Sequence, residues 1–105
     1  MTSQLNSIIG MTLRAAAKVH DYVQLYFTDG AVLNIYNPFS LEASNPVDLA
    51  DLAGSSVRMV SETPEKAVIE FDNGVQILID LRDEAYIGPE AMQLNVPGKP
   101  GVVWN

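Results

Sequence analysis

The chain has 105 residues, 48% of them apolar, a net charge of −7 and no cysteine. That length supports a single domain spanning residues 1–105 around one hydrophobic core, and the apolar content excludes a disordered chain. The lack of cysteine removes disulfides, zinc–thiolate sites and thiol nucleophiles, and the scattered Arg14, Lys18, Arg58, Lys66, Arg82 and Lys99 exclude the clustered cationic surface that nucleic acid or an anionic membrane requires.

Residues 1–10 carry no positive region and no long apolar run, so no secretory signal is expected in them. Residues 1–8, the start of that segment, are weakly specified, and mobility is expected there. No window approaches the roughly 20 apolar residues of a spanning helix. The expectation is a soluble, cytoplasmic protein.

From residue 9 onward the chain repeats itself. Residues 9–37 lie over residues 53–81 without a gap, placing Gly10 on Gly54, Arg14 on Arg58, Phe27 on Phe71, Gly30 on Gly74 and Ile35 on Ile79. One small β unit is therefore used twice. In the first copy a strand is predicted over about 12–19, followed by a turn at His20-Asp21. Val23, Leu25 and Phe27 then alternate with Gln24 and Tyr26, and Ala31, Leu33 and Ile35 with Val32 and Asn34, which is the period of a strand.

The intervening turn has to keep these apolar sets on one face. A two-residue Asp29-Gly30 loop would pair Phe27 with Val32 and split the set. A three-residue Thr28-Asp29-Gly30 loop pairs Phe27 with Ala31, Leu25 with Leu33 and Val23 with Ile35. It calls for a type I turn with Gly30 at positive φ, forming a G1 bulge. The second copy predicts a strand over 56–61, a turn at Thr63-Pro64-Glu65, and a hairpin closed by Asp72-Asn73-Gly74 that pairs Ile69 with Ile77.

Between the copies, residues 45–54 read as one short connecting helix with Asn45 as cap, Pro46 in the first turn and Gly54 as terminator. After the second copy, Gly88-Pro89-Glu90 is a turn, 91–96 is a strand or a helical turn, and 102–104 is a last edge strand. Trp104 is read as a core anchor for the tail, with an exposed binding residue as the alternative. The fold class is all-β. Two tandem three-stranded antiparallel meanders form a six-stranded sandwich or barrel-like sheet, because neither meander can bury its apolar face alone.

No catalytic constellation is present. His20 is the one histidine, placed in a turn without an orienting partner. Asp80, Asp83 and Glu84 form the densest acidic group, but their spacing is not that of a calcium loop, and no metal or cofactor is expected. The ordinary role for Asp80 is a cross-strand pair with Lys66. A carboxylate pair of Glu90 with Asp83 or Glu84 would need a separation that sequence cannot supply.

The outward face of the first hairpin is more informative. The register sets Tyr22 opposite Tyr36, Gln24 opposite Asn34, and Tyr26 opposite Val32. Tyrosines around amides on an exposed sheet face suit protein recognition. The candidate binding residues are Tyr22, Gln24, Tyr26, Asn34 and Tyr36, with Asp80, Asp83 and Glu84 steering a basic partner. In the second copy the matching pairs are Lys66–Asp80, Val68–Leu78 and Glu70–Gln76.

Phe27-Thr28-Asp29-Gly30 with Leu33 and Ile35 recurs as Phe71-Asp72-Asn73-Gly74 with Ile77 and Ile79. Gly54 precedes the second copy and Tyr86-Ile87-Gly88-Pro89-Glu90-Ala91 follows it. This layout over residues 10–94 resembles small acidic bacterial immunity-type proteins of polymorphic or contact-dependent toxin systems. The resemblance implies a non-catalytic protein that neutralises a toxin by direct binding, with a basic toxin domain as partner. Two other readings stand beside it. One is a small-molecule-binding or enzymatic β-barrel, which requires a cavity. The other is a homo-oligomeric structural protein, a homodimer in its simplest form, built through an unpaired edge strand or the same exposed face.

Overall fold

The computed structural model describes residues 4–105; residues 1–3, part of the segment expected to be mobile, lie outside the described residues. The chain is mostly β. Its strands are β1 (Leu13–Val19), β2 (Tyr22–Phe27), β3 (Val32–Ile35), β4 (Phe39–Glu42), β5 (Val57–Glu62), β6 (Lys66–Phe71), β7 (Gln76–Asp80), β8 (Met92–Asn95) and β9 (Val102–Trp104). They form a five-stranded sheet ordered β1-β2-β3-β8-β9 and a four-stranded sheet ordered β4-β7-β6-β5, all neighbours antiparallel.

Nine strands occur among the described residues, where six were expected in the two meanders; β8 and β9 lie where 91–96 was read as a strand or helical turn and 102–104 as a last edge strand, and neither sheet closes into a barrel. The additional strands serve the sheet edges. After β3 the chain leaves its own meander, and β4 pairs with β7 of the other, setting Phe39 against Ile79 and Leu41 against Ile77. After β7 the chain returns, and β8 pairs with β3, setting Met92 against Ile35 and Leu94 against Leu33. The sheet that holds β1–β3 is thus extended by β8, and the sheet that holds β5–β7 by β4. An unpaired β3 or β7 would leave a row of backbone groups unsatisfied, and these exchanged strands cover them.

Both hairpins take the three-residue loop. The Phe27 amide donates to Ala31 O at 2.9 Å and the Gly30 amide to Phe27 O at 3.0 Å; the Phe71 amide donates to Val75 O at 2.9 Å and the Gly74 amide to Phe71 O at 3.0 Å. Gly30 and Gly74 both sit at φ +88°, where a Cβ is strained. Their surroundings differ. A Cβ at Gly30 would lie 3.1 Å from Pro97 Cγ, whereas one at Gly74 meets nothing within 4 Å. Gly74→Ala is therefore expected to cost about 1–2 kcal/mol of stability from backbone strain. Gly30→Ala is expected to cost more, because Pro97 must also move. Urea unfolding of the two variants checks the order, and equal costs would contradict it.

The sheets meet where β1 and β5 begin. The Gly10 amide donates to Val57 O and the Gly54 amide to Leu13 O, both at 2.8 Å. The Leu13 amide donates to Ser55 O at 2.8 Å and the Val57 amide to Met11 O at 2.9 Å. Thr12 Oγ1 and Ser56 Oγ lie 2.7 Å apart at the centre of this set. Every amide in the set has its counterpart at the equivalent residue of the other copy. The ladders of β1 and β5 also break at equivalent places, between Leu13 and Ala15 and between Val57 and Met59.

The connecting helix is shorter than expected. It is a 3-10 helix over Leu49–Leu52, entered through Asp48 rather than Asn45, with Asp51 Oδ2 accepting from the Asp48 amide at 2.9 Å. So short a segment cannot sustain an α-helix alone, while residues three apart align on a 3-10 turn, which stacks Leu49 over Leu52. The N-terminal segment is corrected in the same way. Gln4–Ile8 is also a 3-10 helix, with Leu5 and Ile8 buried. It packs on β5, while Leu49–Leu52 packs on β1.

One buried cluster draws on both sheets. Leu25, Phe27, Leu33 and Ile35 join Ile69, Phe71, Ile77 and Ile79 in it, all fully or almost fully buried. Trp104 is half-buried against this core, and its indole N–H donates to Glu62 Oε1 at 3.1 Å, tying β9 of one sheet to β5 of the other.

Candidate functional site

β2 and β3 place the candidate tyrosines and amides on the outer face of the five-stranded sheet. Gln24 pairs with Asn34 and Tyr26 with Val32, as the register required. Tyr22 and Tyr36 lie at the end of this ladder, their ring centroids 5.1 Å apart and their planes tilted by 50°. Tyr26 donates its hydroxyl proton to Gln24 Oε1 on the same strand.

β8 adds a partner that the sequence reading did not include. Gln93 pairs with Asn34, and its Oε1 accepts from the Tyr36 hydroxyl at 3.2 Å. Asn34 is buried among these groups, and its Oδ1 has no hydrogen-bond partner. Burial raises the Tyr36 phenol above its ordinary pKa, helped by the negative charge of Glu90 and by Tyr22, while a hydrogen bond with Asn34 works the other way.

The Tyr22–Tyr36 end of the face opens into a cleft. The amides of Tyr36 and Asn37 both donate to Ala91 O, at 2.9 and 3.0 Å. This clasp brings the 87–90 turn beside the tyrosines. Asp21, Tyr22, Tyr36, Ile87 and Glu90 line a hollow of about 280 Å³. An adjoining groove of about 310 Å³ shares Asp21, both tyrosines and Ile87, and extends to Lys18 and Asn37. Asn37 is 3% exposed, its Nδ2 donates to Asp80 O at 2.8 Å, and its Oδ1 is unpartnered. Ile87 is 69% exposed, the most exposed large apolar side chain among the described residues. No periodic pattern marks Ile87 in the sequence. Its role comes from the Ala91 clasp.

The acidic group does not act as one unit. Asp83 and Glu84 lie exposed on a 3-10 turn, Asp83–Ala85. Asp80 faces Lys66 in the β6–β7 ladder, but its carboxylate is held by Arg82. The Arg82 Nε donates to Oδ1 at 3.0 Å, Nη2 to Oδ2 at 2.7 Å, and the backbone amide to Oδ1 at 3.0 Å. The expected Lys66 ion pair is thus replaced by a fork from two residues away, since a guanidinium binds both carboxylate oxygens where an ammonium binds one point. Asp80 and Arg82 also line a solvent-open groove of about 390 Å³ beside Phe39 and Leu78.

These contacts hold the Asp80 carboxyl down from its ordinary 3.8 to about 2. A carboxylate depressed in the folded state adds stability above its unfolded pKa, and that stability is lost as pH falls through the folded value. Acid titration of the wild type is expected to show a stability loss between about pH 4 and pH 2, and Arg82→Ala is expected to diminish it. An unchanged acid profile in Arg82→Ala would refute the pairing.

His20 occupies the β1–β2 turn, exposed as expected, with a left-handed φ of 55°. No group of three or more His, Asp or Glu side chains suited to a metal ion occurs among the described residues. No helix among the described residues is long and apolar enough to cross a membrane. Comparison with family models, curated proteins and solved structures gave no significant match.

Proposed function

We propose that this chain is a non-catalytic protein-binding protein, and that its sharpest form is neutralisation of a basic toxin domain by direct contact. The observation that carries the reading is the Tyr22–Tyr36 pair, set beside the exposed Ile87 at an open cleft. Tyrosine offers large contact area with few rotamers to freeze and a hydroxyl for the wet rim, and an exposed aliphatic beside it supplies an anchor. The net charge of −7 complements a basic partner and favours fast encounter.

The same proposal covers the architecture. Two copies of one unit, each beginning with a 3-10 turn and continuing as a meander, pack as a two-layer sandwich and exchange their closing strands. The matching hydrogen bonds around Thr12 and Ser56 and the shared core support this. A packed sheet of this kind presents the tyrosine face with little backbone ordering on binding.

The test co-expresses the chain with the product of any toxin gene found immediately upstream of its own, and then measures the purified proteins together. Protection from the toxin and a saturable complex are expected. Tyr22→Ala with Tyr36→Ala is expected to raise the dissociation rate about tenfold or more, as for aromatic hot spots. Asp83→Asn with Glu84→Gln is expected to slow association and flatten its salt dependence. A folded tyrosine double variant with an unchanged off-rate would make this face scaffold and overturn the reading.

A further inference from the structure

The cleft at Tyr22 and Tyr36 has a chemistry narrower than general protein binding. Its charged lining in the inner hollow is acidic only, from Asp21 and Glu90. The two phenol rings line the same hollow as those carboxylates, together with apolar Ile87 and Pro89. Beyond the rings, the adjoining groove reaches Asn37, whose almost fully buried Oδ1 lacks a donor. Carboxylates and π faces attract the same thing, a cation bearing several N–H donors.

We infer that the cleft is a receptor pocket for an arginine side chain presented by the basic partner. A guanidinium carries five donors and no acceptor, lies flat on an aromatic face, and forks onto a carboxylate. A lysine ammonium would satisfy the charge but neither the stacking nor the fork. The hollow of about 280 Å³ is the scale of one side chain rather than of a folded segment. Lys18 lines only the outer groove and leaves the inner hollow free of competing positive charge.

This inference rests on the proposed binding function and specifies its anchor. The probe is N-acetyl-arginine methylamide, compared with the citrulline analogue, which has nearly the same shape but no charge. Ring-labelled tyrosine NMR on the full chain reads the binding. The arginine probe is expected to shift the Tyr22 and Tyr36 ring signals saturably, with a Kd of about 1 mM, typical of so small a ligand. The citrulline probe is expected to leave them in place. Asp21→Asn with Glu90→Gln changes charge while keeping shape, and is expected to weaken the arginine probe about fivefold. No saturable shift, equal shifts with citrulline, or an unchanged Kd in the charge variant would each overturn the inference. If the probe fails while the tyrosine double variant still speeds release of a toxin domain, the anchor is wrong and the binding function survives. If the probe binds but no toxin complex depends on the tyrosines, the pocket stands and the proposed function falls.

Discussion

Phe71→Ala is expected to remove about 3–5 kcal/mol from the unfolding free energy, the largest effect of any single substitution considered. Phe71 is completely buried and belongs to the cluster that serves both sheets. Deleting its ring forfeits the transfer energy of the ring and leaves a cavity in the shared core, which close-packed side chains refill only in part. A small domain holds only about 5–15 kcal/mol in total, so the variant is expected to be partly unfolded near body temperature. Phe27→Ala is expected to cost a similar amount, because Phe27 occupies the equivalent position and is 1% exposed. Urea unfolding with an unchanged m-value would measure both. A loss below about 1 kcal/mol for either would mean that the two sheets do not depend on one core.

Ile8→Ala is the second large effect, expected at about 2–4 kcal/mol. Ile8 is fully buried in the N-terminal 3-10 helix that packs on β5, and its carbonyl accepts from the Met11 amide at 3.0 Å. The adjacent Ile9 is 46% exposed, so Ile9→Ala is expected to fall within about 0.5 kcal/mol of wild type. The two neighbours have the same side chain and nearly the same sequence context. Only docking of the segment separates them, and equal stabilities in thermal unfolding would show that the segment is not docked.

The hairpins were legible in the sequence down to register. Alternation over β2, β3, β6 and β7, with one three-residue glycine loop compatible with it, determined which residues pair and which face the core. That information is local. It is carried by side-chain period and turn chemistry within about a dozen residues, and it holds in any environment that buries one face. The outward position of Tyr22, Gln24, Tyr26, Asn34 and Tyr36 followed from the same register.

The sheet partners of β4 and β8 were not legible. Phe39-Ser40-Leu41-Glu42 alternates over only four residues, and backbone edges accept any strand, so pairing with β7 is decided by where the chain can reach. Asp80 illustrates the limit at a single side chain. Its strand neighbour Lys66 was correct as register, yet Arg82 takes the carboxylate because its fork fits. The candidate cleft lies wholly on this tertiary side. Tyr22 and Tyr36 could be paired from sequence, but Ile87, Glu90 and Gln93 reach them only because β8 docks on β3 and Ala91 O clasps two amides at once. The sequence by itself therefore determined the two hairpins, their glycine turns and the tyrosine face, while the tertiary structure decided the exchanged strands and the cleft, since long-range edge pairing is set by the backbone groups left open after local structure has formed.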